Sequence, residues 1–572
     1  MTSRTRPPAD TPRVEVTAGR PRPYLIADSG ALAPAGFLPL NPGDLLAALG
    51  ADTAVTVQRT IVPSSVAVAA NTPVPLQQVI VASMADAKAD TLRTLPQVLL
   101  EEDELLRPAL NVGPPLADGA DPSIYSPFGL SLGWTIRAVG PVGEPVVGAT
   151  VYLYGSGVPA QGVTDANGSV TVSLLNETDD SIRALYVNPR EGYWGFWADR
   201  PTITSGAVNT VTLTALSDRL RGFPQRQLIG WGQQAMRMAE LPPSFTGAGV
   251  QVAVIDSGAA VATHPDLGGI SRGSDVTVAP ANPNDWRVDT IAHGSHTTGV
   301  IAAANGADGI RGFAPDATVH ELRVFPGGRA SNLLDALDYC IDNAVDVVNM
   351  SLGGGGTNQF VLQKIAQAKA AGIAMIVAAG NTSGPVSFPG TSPDVLTVAA
   401  IGKTGEFPDT SYHAKQVWQQ TVTDAGYFAA AFSCHGPEVD VCAPGVAVVS
   451  SVPDTGYAAW DGTSMAAPHV AGLAALVLAH HPDFQGPFAA RDGRRVDRLF
   501  EILKASATPI DVGDPERTGV GMPDARRALA VEVPAHPSTP VSAGAAGVAP
   551  APSPGSLAAT LAQLQAFLHP SV

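Results

Sequence analysis

Continuous apolar runs alternate with helix-forming stretches over residues 228–530, and this alternation limits the fold more than any other feature of the chain. The apolar runs are Val250–Ile255, Val345–Asn349 and Ile373–Ala378, and helical stretches such as Ser331–Asn343 and Gln359–Ala371 lie between them. Strands that are apolar on both faces suit a parallel sheet that helices cover on each side. We therefore predict an α/β domain with a doubly wound, mostly parallel sheet over residues 228–530.

The rest of the chain divides into further segments, because 572 residues exceed what one hydrophobic core can hold. Composition changes mark their boundaries. The predicted segments are a flexible leader rich in Pro, Ala and Gly over residues 1–40, a small α+β unit over 41–125, a β-sandwich over 130–216 with Asn167–Gly168 as a hairpin turn, and a Pro/Ala-rich tail over 531–572 that ends in a short helix.

Charge and cysteine content exclude several classes of protein. The net charge of −17 argues against nucleic acid as a partner, because phosphate binding needs a basic surface. Three cysteines are too few for a disulfide scaffold, and they are either free buried thiols or include a Cys434–Cys442 bridge. No run of 18 apolar residues predicts a transmembrane helix, and the N-terminal residues lack the apolar core of an ordinary signal peptide.

Three segments of the α/β region carry the residue types of nucleophilic catalysis. The segment VQVAVIDSG places Asp256 at the end of an apolar strand, while AHGSHTTGVIAA and DGTSMAAPHVAG place His293 and Ser464 at the starts of helix-like runs. Functional groups in open α/β sheets gather at the carboxyl ends of the strands. A serine at a helix N-terminus also lies beside unpaired N–H groups, which favour a negatively charged oxygen there.

These segments, in the order Asp, His, Ser, resemble the subtilisin family of serine proteases. The resemblance implies that Ser464 is the nucleophile, that His293 is the general base, and that Asp256 orients and stabilises the imidazole. It implies a serine endopeptidase that cuts protein or peptide substrates through an acyl-enzyme, without an organic cofactor. Two alternatives stay open: a dedicated maturation protease for one peptide or protein, and an inactive binding protein on the same fold.

Two more segments match the family in the expected order. In VVNMSLGGGG, Ser351, Leu352 and Gly353 correspond to the strand that pairs with the substrate backbone. In VAAGN, Gly380 corresponds to a substrate-binding residue and Asn381 to the side-chain donor that binds the oxyanion. No acidic group is placed to select Arg or Lys, so we expect a broad or apolar preference for the residue before the cut bond.

The predicted N-terminal α+β unit resembles the end of the family's inhibitory prodomain. A strand at Val79–Ala82, a helix over Met84–Leu95 and a strand at Val98–Leu100 precede the acidic run Glu101–Glu104. The resemblance implies a self-processed precursor whose own N-terminal segment blocks the cleft until it is cut. Family precedent favours secretion, and the cytoplasm is the alternative because no signal peptide is visible.

Metal binding stays open at the sequence level. Calcium sites are common in the family, and Asp266, Asn305 and Asp308 are the candidate ligands, although Gly306 stands where the family carries a side-chain ligand. Zinc is not expected, because histidines and carboxylates do not cluster at metal spacing. Four polar residues near the predicted site are interpreted as structural: Asp289, His296, Asp461 and His469.

Overall fold

A computed structural model describes residues 20–29, 40–62, 78–109, 131–278 and 283–529. The predicted tail of residues 531–572, with its short helix, lies outside these residues. We refer to residues 20–109 as the N-terminal unit, to residues 131–213 as the two-sheet unit, and to residues 228–529 as the α/β domain.

The N-terminal unit is a four-stranded sheet in the order β2-β3-β1-β4, with two helices. Its elements are β1 Arg22–Asp28, α1 Pro42–Ala51, β2 Val55–Ile61, β3 Val79–Met84, α2 Asp86–Arg93, β4 Val98–Glu102 and the short β5 Arg107–Pro108. The prediction of a flexible leader over residues 1–40 is wrong for Arg22–Asp28, which form β1 between β3 and β4, antiparallel to both. Its residues Tyr24–Ala27 are buried there, and this burial stabilises a strand that Pro21 and Pro23 obscure in the sequence.

The two-sheet unit packs sheets of four and three strands over one hydrophobic cluster that includes Trp134, Ile136 and Leu153. Its strands are β6 Ser131–Val139, β7 Thr150–Tyr154, β8 Ala160–Val163, β9 Ser169–Leu175, β10 Ala184–Asn188, β11 Phe196–Asp199 and β12 Val208–Thr212. The turn at Asn167–Gly168 forms, with Gly168 at φ +72°. The hairpin prediction is nevertheless wrong, because β8 and β9 belong to different sheets.

The α/β domain is built on an eight-stranded sheet that contains one antiparallel strand. The short helices α3 Leu216–Arg219 and α4 Trp231–Ala235 precede it. The strands of this sheet are β13 Gln251–Asp256, β14 Arg272–Asp275, β15 Thr318–Arg323, β16 Val347–Met350, β18 Ala374–Ala378, β19 Leu396–Lys403, β20 Tyr427–Ala429 and β21 Val441–Pro444. Three further strands lie outside the sheet: β17 Leu352–Gly353, which pairs with β5, and β22 Val448–Val452 and β23 Gly456–Trp460, which pair with each other. The main order is β14-β15-β13-β16-β18-β19-β20, with β21 parallel to β19. The order reverses direction around β13, so the carboxyl ends of β13 and β16 lie at a switch point.

Helices cover both faces of this sheet, as the apolar runs predict. They are α5 His293–Ala302, α6 Ala330–Asp342, α7 Gln359–Ala370, α8 Thr463–His480, α9 Gly493–Ser506 and α10 Ala525–Leu529. The start of α7 is fixed by Asn358, whose side chain accepts the N–H of Val361 at 3.1 Å. Among the described helices, α8 has the length and hydropathy of a membrane span, but 89% of that window is buried inside the protein, which accounts for its apolar character.

Candidate active site

Asp256 and His293 form a fully buried pair at the carboxyl end of β13 and the first residue of α5. His293 Nδ1 lies 2.7 Å from Asp256 Oδ1 and 2.8 Å from Oδ2. The N–H of Ser257 adds a third contact, 2.7 Å from Oδ1. An ionised carboxylate only accepts hydrogen bonds, so the imidazole proton lies on Nδ1 and leaves Nε2 as the basic nitrogen. Nε2 has no hydrogen-bond partner among the described residues.

The turn that leads into α5 is held by the buried carboxylate of Asp289. Ala292, the residue before His293, has a φ of +70°, which is strained for a residue with a side chain. Asp289 satisfies the backbone there by accepting the N–H groups of Ile291, Ala292 and Ser295 and the hydroxyls of Ser257 and Ser295. Burial still raises the pKa of Asp289. Asp289 therefore fixes where His293 enters the site.

Ser464 is the second residue of α8 and is fully buried. Its hydroxyl donates to the carbonyl oxygen of Ser351 at 3.1 Å, so the hydroxyl is not paired with His293. Rotation about the Cα–Cβ bond is the motion that would redirect it. The backbone N–H of Ser464 has no partner within α8, as expected in a first helical turn, and it donates to the carbonyl oxygen of Ala109 at 3.2 Å.

Asn381 donates to the same carbonyl oxygen. Its Nδ2 forms a close hydrogen bond with Ala109 O. Its Oδ1 accepts the N–H of Thr463 at 3.0 Å and the Thr463 hydroxyl at 2.8 Å, which fixes the amide with Nδ2 toward the cleft. Two donors thus converge on one carbonyl oxygen, which is the arrangement that stabilises the negative charge of a tetrahedral intermediate.

The segment that carries Ala109 lies in the cleft as an extended strand. β5 pairs antiparallel with β17, with Leu352 opposite Pro108 and Gly353 opposite Arg107. Ala109 N donates to Ser351 O at 3.0 Å. On its other side the segment bonds to residues 328–330, through Leu106 N to Gly328 O at 2.9 Å and Ala330 N to Glu104 O at 3.0 Å. Residues 104–109 are therefore the middle strand of three, the position that a bound peptide takes by strand addition.

The predicted substrate-binding residues lie along this segment. Ser351, Leu352 and Gly353 pair with it directly, and Gly380 lines the cleft beside Ala109. A Cβ on Gly380 would come within 2.4 Å of Ser387 Oγ and 3.0 Å of Cys434 Sγ. The cleft is therefore tightly packed at Gly380, and Ala109, which lines the same cleft, is buried. The described cysteines are all free, so no Cys434–Cys442 bridge forms.

Sequence reasoning missed Ala109, Ser387 and residues 328–330 as parts of the cleft. Ala109 has no chemical signature, and only its position opposite Ser464 and Asn381 identifies it. His296 and His469 are hydrogen-bonded to backbone carbonyls, namely those of Val448, Ala458 and Met465. Burial lowers the pKa of His296 to about 3 and that of His469 to about 4, so both are neutral packing residues.

The three candidate calcium ligands lie in different environments, one hydrogen-bonded within the protein and two exposed. Asp266 Oδ2 accepts the Ile310 N–H at 3.0 Å and the Tyr457 hydroxyl at 2.9 Å, and Asn305 and Asp308 are exposed. The nearby carbonyl oxygens of Ala304 and Ile310 accept the side-chain amide of Gln227, at 2.9 and 3.3 Å. Asp266 Oδ2 and these two carbonyl oxygens are thus already hydrogen-bonded to protein donors, and the other two candidate side chains are exposed, which does not fit a closed three-ligand calcium site.

The sequence around this site is similar to that of known proteins. The model of the subtilase family matches residues 247–506, which include Asp256, His293 and Ser464. Subtilisin E of Bacillus subtilis is 35% identical over 246 residues, 42% of this chain and 58% of the relative. Subtilisin of Bacillus pumilus is 35% identical over 42% of this chain and 80% of the relative, and alkaline elastase YaB of a Bacillus species is 33% identical over 53% and 70%. The chain thus spans less than two thirds of the length of several relatives, subtilisin E among them. The shared region holds the whole Asp–His–Ser arrangement, and the chain belongs to the subtilase family.

Proposed function

We propose that the chain is a serine endopeptidase that hydrolyses peptide bonds through an acyl-enzyme. The Ser464 hydroxyl turns from Ser351 O to His293 Nε2, gives up its proton and attacks the carbonyl carbon of the bound peptide. Asn381 Nδ2 and Ser464 N hold the oxygen as it becomes negative. Asp256 stabilises the charged imidazole, which then donates the proton to the leaving amine. A water molecule then attacks the acyl-enzyme, with His293 again taking the proton, and the peptide acid is released. No organic cofactor is needed.

The position of Ala109 is the observation that carries this proposal. Its carbonyl oxygen accepts from Ser464 N and Asn381 Nδ2, and its N–H pairs with Ser351 O. A substrate carbonyl needs these contacts next to a nucleophile. We infer that the chain is its own first substrate and that the bond between Ala109 and Leu110 is the maturation site. The two-sheet unit, a β-sandwich by this interpretation, follows that bond and stays joined to the α/β domain.

The N-terminal unit then acts as an intramolecular inhibitor. Its acidic run binds the N-termini of two helices: Asp103 accepts the N–H and hydroxyl of Ser331 in α6, each at 2.8 Å, and Glu101 accepts the N–H of Gln359 in α7 at 2.7 Å. Carboxylates at helix N-termini are stabilised by the unpaired N–H groups and by the helix dipole. Arg59 also forms a two-point ion pair with Asp335 of α6. These contacts keep the cut segment in the cleft.

The inhibitor segment also indicates the substrates that the cleft accepts. Ala109 occupies the pocket before the cut bond, and Leu106, three residues earlier, packs against the cluster that contains Leu352. We expect preference for a small uncharged residue before the cut bond and for a large aliphatic residue three positions earlier. That narrows the broad or apolar preference expected from the sequence.

One paired experiment tests the proposal. The full chain and its Ser464→Ala variant are expressed, and chain length, casein hydrolysis and labelling by a fluorophosphonate probe are followed. Wild type should take the label, digest casein and yield a fragment whose first residue, by mass spectrometry, is Leu110. Ser464→Ala should stay at full length and take no label. A Ser506→Ala variant, which removes another buried serine in α9, should behave as wild type does.

The cut position has a separate test. Ala109→Ser should be processed at the same bond, whereas Ala109→Asp should slow processing strongly, because a buried carboxylate without a partner is costly. Labelled wild type that is cut at another bond would refute Ala109 as the site but leave the protease proposal intact. An unlabelled, uncut wild type would refute the protease and favour an inactive binding protein.

A further inference from the structure

A second histidine–carboxylate pair lies beneath the loop that carries the nucleophile. His413 Nδ1 is 2.6 Å from Asp461 Oδ1, and both side chains are buried. Asp461 precedes Ser464 by three residues, and its Oδ1 also accepts the N–H of Ala447 at 2.8 Å. The loop is held at its other end by Thr463, whose N–H and hydroxyl bond to Asn381. Asp461 therefore fixes the entrance to the turn that positions Ser464.

His413 is held by the two-sheet unit. It lies on a short 3-10 helix, Tyr412–Gln416. The ring of Trp194, which is buried and belongs to the two-sheet unit, packs edge-on against the His413 ring with centroids 5.6 Å apart and planes at 86°. Trp194 is part of the main hydrophobic cluster of the α/β domain, not of the core between the two sheets. Trp194 therefore connects the two-sheet unit to the α/β domain at His413.

Backbone pairing holds the same helix from the same side. Trp197 N donates to Thr410 O at 2.9 Å, and Tyr412 N donates to Gly195 O at 3.1 Å. The Tyr412 ring packs on Tyr186 of β10 with centroids 4.5 Å apart. Residues 410–412 thus extend the sheet that contains β10 and β11. Displacement of the two-sheet unit would move His413, and His413 would move Asp461.

We propose that the two-sheet unit is a positioning module of the active site, acting through Trp194, His413 and Asp461 on the loop that carries Ser464. This inference rests on the proposed function. His413 and Asp461 do not touch the substrate; they are positioning residues, and the bond from His413 Nδ1 to Asp461 Oδ1 is the connection that matters. A nucleophile displaced by a fraction of an ångström loses rate rather than substrate affinity, because the chemical step depends on its position.

Two substitutions separate the hydrogen bond from simple packing. His413→Phe keeps a ring against Trp194 and removes the donor. His413→Asn removes the ring, and its Nδ2 supplies a donor near the place of Nδ1. We expect His413→Phe to lower kcat on a peptide substrate about tenfold or more, with KM changed less than threefold, and His413→Asn to restore most of the rate. His320→Phe is the matched control, because His320 is also buried beside an aromatic ring but bonds to Gln251 and Tyr339.

A second measurement does not depend on activity. Hydrogen exchange of residues 461–465 is followed in the full chain with Ser464→Ala, with and without His413→Phe, His413→Asn or His320→Phe. Exchange in this loop should accelerate at least fivefold with His413→Phe only. The inference is overturned if the loop is unaffected by His413→Phe, or if His413→Asn is the more damaging variant in both measurements. An inactive, unlabelled wild type would overturn the proposed function, and hydrogen exchange would still decide the inference.

Discussion

Replacing Asp103 by alanine should weaken the binding of the N-terminal unit to the α/β domain by about 2–3 kcal/mol. The Asp103 carboxylate accepts two hydrogen bonds, from Ser331 N and Ser331 Oγ, each at 2.8 Å. Burial raises the pKa of Asp103, so dehydration outweighs the two hydrogen bonds for the charged carboxylate itself. The loss in the alanine variant comes instead from the Ser331 N–H and hydroxyl, which are left without their partner at about 1–1.5 kcal/mol each. The sum corresponds to an inhibition constant raised roughly 30- to 150-fold.

The assay is a titration of the matured enzyme with residues 1–109, as wild type and as variants, while hydrolysis of a chromogenic peptide is followed. Both bonds of the Asp103 carboxylate cross the interface, so the substitution should leave the unit's own sheet intact, which circular dichroism checks. Glu102→Ala is the matched control. Glu102 is the adjacent acidic residue, and its side chain pairs with Arg22 of the same unit at an exposed position, so its loss should change inhibition less than threefold.

Equal inhibition constants for wild type and Asp103→Ala, within threefold, would refute the reasoning. They would mean that pairing of β5 in the cleft supplies nearly all of the affinity and that the caps on α6 and α7 contribute little. A large effect of Glu102→Ala would point instead to long-range attraction between the acidic run and the domain, which added salt would abolish.

Three further predictions concern catalysis, pH and metals. Asn381→Ala should lower kcat about 10²- to 10³-fold with little change in KM, a range that comes from subtilisin, and stopped assays on a peptide check it. Burial at the interface raises the pKa values of Glu101, Asp103 and Asp335. These groups therefore bind protons as the N-terminal unit docks, so docking is favoured at lower pH. The inhibition constant of the unit should fall, meaning tighter inhibition, as the pH drops from 7 through the raised pKa values toward about 4. Inhibitor titrations at several pH values check this. A chelator should change Tm by less than about 2 °C in a thermal melt, because Asp266 is already hydrogen-bonded within the protein; a larger fall, reversed by calcium, would contradict this.

The elements that the sequence predicts well are those whose pattern is local. The run Val250–Ile255 becomes β13, Gln251–Asp256, and the stretch Ser331–Asn343 becomes α6, Ala330–Asp342. Both lie where a parallel sheet is covered by helices. The strand is therefore apolar on both faces and the helix on one face, and the residue types show this pattern locally. The positions of Asp256 and His293 follow from these elements.

Other elements depend on partners that are distant in the chain. β1 offers only five buried residues, Tyr24–Asp28, next to two prolines, and its neighbours β3 and β4 follow more than 50 residues later. β5 has two residues, and only its pairing with β17 makes it a strand. Segments with so few buried residues show no hydrophobic period in the sequence. Their structure is decided by pairing with distant strands, which overrides their local preference. For the same reason Asp461 looks like an ordinary loop residue until His413 is placed against it.

The two interfaces of the α/β domain differ in chemistry in a way that fits their proposed fates. The contact with the N-terminal unit depends on the carboxylates of Asp103, which is buried, and Asp335, which is partly exposed. Their dehydration costs free energy and their protonation depends on pH. The contact with the two-sheet unit includes the packed rings of Trp194, Tyr186 and Tyr412 and backbone hydrogen bonds, which need no buried carboxylate. The bond after Ala109 lies between the two units. Cleavage there would leave the N-terminal unit held only by contacts that can be reversed, while the covalently joined two-sheet unit keeps the packing that reaches the nucleophile loop. An inhibitor that must leave and a positioning module that must stay would need interfaces of these two kinds.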